Sequence, residues 1–228
     1  MDMSEGAQPT GEMRVAVIEL LGVLAYGEIT AFERLAEDAK MAPTVDDKAA
    51  LAAMAVAEFH HYTLLRDRIA ALDADPAEAM DPFIAPLDEF HVHTAPSDWL
   101  EGLVKAYVGD GIAADFYREV AAHLDEVSRD LIVEVQRDTG HTAFVVDTVR
   151  SAIERDPKVA GRLALWGRRL MGEALSQAQR VAAERDALST MLIGGGAGPG
   201  FDLAEIGRMF NRITEAHQQR MAALGLAS

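Results

Sequence analysis

Ala57-Glu58-Phe59-His60-His61-Tyr62 interrupts an otherwise apolar helical stripe. Leu51, Met54, Glu58, His61, Leu65 and Ile69 recur at three- and four-residue spacing, the pattern of one buried helix face. Glu58 and His61 therefore lie one above the other where leucines are expected. An ionisable pair in such a place needs a partner. In a helical bundle, two Glu-x-x-His pairs and one carboxylate from each of two further helices close around two metal ions. Taken alone, the pair reads equally well as a core histidine satisfied by a neighbouring carboxylate. His60, about 100° further round the helix, points off that face.

The search for the missing ligands runs outward along the chain. A helix is expected over residues 13–40, with Val17, Leu21, Leu24, Glu28, Ala31, Phe32 and Leu35 on one stripe, so Glu28 also replaces an apolar residue. Pro43 ends it, and Thr44 with Asp47 forms a capping signal for a second helix reaching about residue 72. Residues 75–97 carry Pro76, Pro82, Pro86 and Pro96 with little periodicity and read as a long crossover. Ser97 is the expected N-cap of a third helix with the stripe Leu103, Tyr107, Asp110, Ala114, Tyr117, Val120 and Leu124. A fourth, over 126–154, places Leu131, Val135, Asp138, His141, Val145, Thr148 and Ala152 on one face. Glu28 thus precedes Glu58-x-x-His61 by thirty residues, and Asp110 precedes Asp138-x-x-His141 by twenty-eight. Asp156-Pro157 opens a fifth helix to about residue 191, residues 194–200 form a glycine-rich connector, and Asp202 with Glu205 caps a sixth to about residue 224. The expectation is one all-α domain: a polar tail over 1–12, a four-helix bundle with one long crossover over 13–154, and two accessory C-terminal helices over 155–228.

Composition agrees. Half of the 228 residues are hydrophobic but only 6% are aromatic, which favours helices over a sandwich or barrel. The chain has no cysteine, so disulfides, thiolate metal sites, iron–sulfur clusters and cysteine nucleophiles are excluded, and any metal must be held by His and carboxylates. The apolar run 15–26 contains Glu19 and lacks the basic front of a signal peptide, and no stretch reaches about 20 uninterrupted apolar residues, so a cytoplasmic protein with no membrane span is expected. A net charge of −16 repels nucleic-acid phosphate except at a local basic patch. Such a patch exists between 150 and 186, where eight cations face five acids. It reads as a solvated helix face or as a landing site for an anionic substrate, with Arg162, Arg168 and Arg169 as candidate contacts. His91 and His93 could be a ligand pair on an extended segment, although no third ligand stands nearby in sequence. Tyr26, Tyr62, Tyr107 and Tyr117 share the register of the site and read as packing residues, or as a hydrogen-bond or electron relay.

The order Glu28, Glu58-x-x-His61, Asp110, Asp138-x-x-His141 resembles the ferritin-like di-iron carboxylate superfamily. The crossover and the extra C-terminal helices are similar to its tRNA hydroxylase branch, the MiaE-like proteins, which use two iron ions and dioxygen to hydroxylate the isopentenyl group of a hypermodified adenosine. The resemblance covers about residues 13–154. It implies two iron ions, or manganese, on those six residues, an external electron donor delivered by an unidentified reductase, and tRNA or another anionic substrate. The superfamily normally has glutamate at the positions of Asp110 and Asp138. Gly109, Gly111 and Gly140 flank these aspartates, and the expectation is that the glycines let the third and fourth helices approach until the shorter ligands reach. Two rivals share the scaffold. One is a metal-free interaction protein; the other is an iron-handling or peroxide-detoxifying protein. On any of these readings the C-terminal helices are expected to close one face of the bundle or form a homodimer contact.

Overall fold

The capping signals decide where the helices begin. The computed structural model describes residue 9 and residues 11–121, 124–135, 141–188 and 203–226, with the backbone alone at 120, 121, 141 and 203–206. Among the described residues there is no strand; nine α-helices are described from end to end, and residues 186–188 are also helical. They are α1 (Gly11–Asp38), α2 (Val45–Ala71), α3 (Pro76–Met80), α4 (Ile84–His93), α5 (Trp99–Ala121), α6 (Glu126–Val135), α7 (His141–Arg155), α8 (Lys158–Glu184) and α9 (Leu203–Ala223). Thr44 caps α2 as expected: its hydroxyl oxygen accepts the Asp47 N–H at 3.1 Å, an interaction worth about 1 kcal/mol.

The crossover differs from its sequence reading, because its prolines start helices. Asp75 Oδ1 accepts the N–H groups of Ala77 and Glu78, and Pro76 takes the first position of α3. Pro82 opens the 3₁₀ turn Asp81–Phe83, and Pro86 lies in the first turn of α4, where its missing N–H has no intrahelical partner to lose. At α5 the cap is Asp98, whose Oδ1 accepts the Glu101 N–H at 3.0 Å, and not Ser97. Ser97 instead donates its own N–H and hydroxyl to the Glu101 carboxylate. Of the expected fourth helix, α6 and α7 are described, whereas residues 136–140, Asp138 among them, and the His141 side chain lie outside the described residues. Helix α8 begins one residue after the expected proline start, with Asp156 Oδ1 accepting the Lys158 N–H, and breaks at Arg185, which turns extended; residues 186–188 are helical again, and the expected end near residue 191 lies outside the described residues. Residues 194–200 and the expected cap Asp202 lie outside the described residues.

Helices α1 and α2 run antiparallel. The Arg14 guanidinium donates to the Leu72 and Asp73 carbonyls at one end, and Phe32 meets Phe59 with ring centroids 5.3 Å apart toward the other. Two apolar clusters hold this pair. One gathers Leu20, Leu21 and Leu24 of α1 with Leu65 and Ile69 of α2, Phe83 and Ile132. The other gathers Leu35 with Leu51 and Met54 of α2, Leu103 and Val108 of α5, Val145 and Val149 of α7, and Leu163 and Leu170 of α8. Each buried leucine contributes about 2 kcal/mol. The segment containing Glu28, Glu58 and His61 falls between the two clusters. Helices α8 and α9 cover α5: the Trp166 indole donates to the Glu101 carbonyl at 3.0 Å, and Arg220 pairs with Asp115 at 2.6 Å.

By length and composition alone, Gly11–Met41 is long and apolar enough to cross a membrane, contrary to the sequence expectation, because averaging over 18 residues tolerates an isolated charge such as Glu19. Its apolar side chains Val17, Leu20, Leu21 and Leu24 are buried in the bundle.

Candidate metal centre

Helix α1 carries Glu28 one turn beyond its lower leucine cluster, and α2 carries Glu58 and His61 between Met54 and Leu65, so the antiparallel pairing alone brings the three together. Each offers one ligand atom within 4.8 Å of the others. His61 Nδ1 stands 3.4 Å from Glu28 Oε2 and 3.7 Å from Glu58 Oε2. Burial, and then the neighbouring Glu58 carboxylate, keep the Glu28 carboxyl protonated well above its usual range. Burial pushes the His61 imidazole down, but hydrogen bonding and attraction from Glu28 and Glu58 outweigh it and raise the group to about 10. The cluster therefore binds protons strongly in the absence of any other cation.

These residues fit a metal ion. Glu28 Oε2 is buried and is met by His61 Nδ1 only at a long 3.4 Å, so acceptor capacity is left over beside two further ligand atoms. Two carboxylates and one imidazole suit iron or manganese. Asp110 of α5 lines the same cavity but stands outside the three-residue cluster, and its side chain is exposed. Asp138 and the His141 side chain lie outside the described residues, so the described half of the expected six-ligand set is Glu28, Glu58 and His61.

The cluster faces a largely apolar cavity of about 590 Å³ between α1, α2, α5, α8 and α9. Tyr107 and Tyr117 line it, and the Tyr117 hydroxyl lies over Gly27, where a Cβ would come within 3.8 Å of it. Burial and the carboxylates of Glu28, Asp110 and Glu58 keep the Tyr117 proton in place well above the usual phenol range. Tyr26 turns away to donate to Asp88 at 2.9 Å, and Tyr62 packs on Phe59. His60 is exposed, as its position on the helix implies.

His91 and His93 are not on an extended segment; both lie on α4. His93 pairs with Glu173 at 2.8 Å, and His91 meets Thr30 at 3.2 Å, so each has a partner other than its neighbour. The basic stretch is largely engaged within the chain. Arg162 pairs with Asp98 and Glu101, Arg180 with Glu89 and Glu184, and Arg185 with Glu19. Arg168 is exposed, and the exposed Arg169 lies over the Trp166 ring at 5.8 Å. None of Arg162, Arg168 and Arg169 lines the cavity.

Of the charged end of this cavity, formed by Arg34, Asp38, His91 and Lys105, the sequence pointed only to His91, as half of a ligand pair with His93. A signal was present in Leu103-Val104-Lys105-Ala106-Tyr107-Val108, a single cation inside an apolar run.

An all-α bundle with an internal Glu and Glu-x-x-His cluster on its first two long helices is the architecture of the ferritin-like class. The chain belongs to the family described as the ferritin-like domain of actinomycetes, which matches residues 12–195. No curated protein matches it in sequence.

Proposed function

We propose that the chain is a metal-dependent oxidoreductase of the di-iron carboxylate type, acting on an apolar group admitted to the cavity beside Glu28, Glu58 and His61. One observation carries this reading: a buried cluster of two carboxylates and one imidazole, its Glu28 Oε2 met only at a long 3.4 Å by His61 Nδ1, opens onto an apolar chamber. Iron bound there supplies Lewis-acid and one-electron chemistry toward dioxygen, with electrons from an external donor. Glu28, Glu58 and His61 hold the metal, and Asp110 faces the same chamber. The apolar walls exclude water and orient the substrate, and Tyr117 keeps its phenol proton as a hydrogen-bond donor.

The tRNA-hydroxylase version places an isopentenyl group in the chamber and phosphates on Arg168 and Arg169. The net charge of −16 and the engagement of Arg162 with Asp98 and Glu101 favour a small apolar substrate over tRNA. A second reading, the metal-free scaffold, is favoured by the geometry of His61, which stands between two carboxylates where a cation would sit.

Elemental analysis of protein produced with iron separates the two. About two iron ions per chain are expected from the family's ligand order. The double substitution Glu58→Gln, His61→Ala should remove them; stoichiometric iron retained in that variant would overturn the assignment.

A further inference from the structure

We propose that the charged end of the cavity is a head-group site for a monocarboxylate with an apolar chain, the carboxylate lying between Arg34 and Lys105 with His91 as its third partner. The cavity follows one stripe of α1 from Leu20 to Asp38, about 27 Å at the rise of an α-helix. Its ends differ. Around Leu20, Val23 and Leu87 it is apolar; around Arg34 and Asp38 it meets Lys105 of α5 and His91 of α4. The Glu28 cluster lies between, six residues or about 9 Å along α1 from Arg34.

The hydrogen-bond inventory at the charged end calls for a ligand. Lys105 is buried, and its ammonium donates to the Thr94 carbonyl at 2.8 Å, which occupies one of its three protons. Arg34 uses Nη1 on Glu37 at 3.3 Å, while its Nε–H is buried with no acceptor among the described residues. The Thr30 hydroxyl has one proton, directed at the Tyr26 and Gly27 carbonyls at 2.9 and 3.0 Å. In the contact with Thr30 the imidazole of His91 must therefore be the donor, through Nε2–H. That leaves Nδ1 as a buried lone-pair atom with no hydrogen-bond partner among the described residues.

A carboxylate meets these demands. One oxygen accepts from Arg34 Nε–H and the other from Lys105, both charge-assisted bonds. The negative charge offsets the field of Lys105 and Arg34 that, together with burial, keeps His91 neutral, so Nδ1 takes up a proton and becomes a third donor. Asp38, facing the same space, and the exposed Glu37 on Arg34 Nη1 offset part of the positive charge of Arg34 and Lys105, which opposes a dianion such as a phosphate ester. The chain then runs along α1 past Glu28 and places a mid-chain carbon beside the cluster. Only the fate of that carbon rests on the metal-dependent reading; capture of the head group does not.

The test is calorimetric titration of the metal-free, full-length protein with dodecanoate, dodecan-1-ol and dodecylamine, each below its aggregation concentration. The expected result is one dodecanoate per chain, bound at least about tenfold more tightly than the alcohol or the amine. Arg34→Met should abolish that preference and leave the alcohol unchanged. Comparison of buffers with different ionisation enthalpies should show uptake of about one proton with dodecanoate, and none in His91→Phe. Glu58→Gln with His61→Ala should bind dodecanoate as the parent does, so a failed iron assignment leaves this result intact. Dodecanoate binding no tighter than dodecan-1-ol, or a preference unaltered in Arg34→Met, would overturn the proposal.

Discussion

His91 and Asp38 share one end of the cavity, and burial displaces their proton equilibria in opposite directions. Burial, followed by Lys105 and Arg34, lowers His91 to about 3, whereas burial, opposed by Lys105, raises Asp38 to about 6. As pH falls from about 6.5 toward 3, the unfolded chain binds the His91 proton first, so this residue withdraws stability. Between about 6 and 4 the folded chain binds the Asp38 proton first, so that residue adds stability. The two slopes oppose each other in the same window. His91→Gln removes only the first, so its stability relative to the parent should rise as pH falls from 7 to 4, by at most about 1.4 kcal/mol per unit of the His91 displacement. Denaturant unfolding at several pH values reads this directly, and parallel profiles for parent and variant would refute it. In the sequence His91 stood out only as half of a ligand pair with His93, and Asp38 not at all, because an acid near a helix end looks like an ordinary surface group until the fold brings α4 and α5 beside it. Gly111 shows the same limit. Its cost within a helix was visible, but the neighbour it makes room for was not: a Cβ there would overlap the Arg220 side chain of α9, which crosses to Asp115. Gly109 meets nothing within 4 Å, so the two glycines beside Asp110 have no common cause.

At the scale of elements, close approach rather than propensity places the crossover. A Cβ on Gly22 of α1 would overlap the Ala79 carbonyl of α3, a backbone atom that cannot rotate away. Gly22→Ala should therefore lift α3 from α1 and cost about 3 kcal/mol, at the upper end of overpacking effects. Gly172→Ala in α8, where a Cβ meets nothing within 4 Å, should instead stabilise by roughly 1 kcal/mol. Equal unfolding midpoints for the two variants would show that α3 is not held by this contact. The long helices were legible because their caps and apolar stripes are local: Thr44 is three residues from the N–H it accepts, and Leu51, Met54, Leu65 and Ile69 are buried as their spacing implies. The crossover was not, because four prolines in 75–97 suggest irregular chain, and only the backbone shows that Pro76, Pro82 and Pro86 stand in first turns.

Across the whole molecule, the Glu28 cluster is a polar gap between two apolar clusters that would otherwise be continuous along α1 and α2. The Glu28, Glu58 and His61 cluster on these helices was readable from sequence because two antiparallel helices suffice to assemble it. Placing Asp110 depended on how α5 faces the cavity, which no local pattern encodes. If the gap exists to hold a metal, the metal-free protein carries a burden there: Glu28 Oε2 is buried with only the long 3.4 Å contact from His61 Nδ1, and an acceptor so poorly satisfied costs up to about 1–3 kcal/mol. Glu28→Leu continues the α1 stripe from Leu24 to Leu35 and leaves His61 paired with Glu58. The metal-free variant should therefore melt higher than the metal-free parent. The order should reverse when metal is added, because a ligand bound only by the folded parent stabilises it in proportion to the logarithm of its concentration, by about 2.7 kcal/mol at a hundredfold excess over the dissociation constant. Thermal unfolding with and without Mn²⁺, which avoids the oxidation of ferrous iron in air, measures both arms. A scaffold without metal predicts the opposite first arm: there Glu28 is part of a structural Glu–His–Glu arrangement, and Glu28→Leu lowers the melting temperature whether Mn²⁺ is present or not.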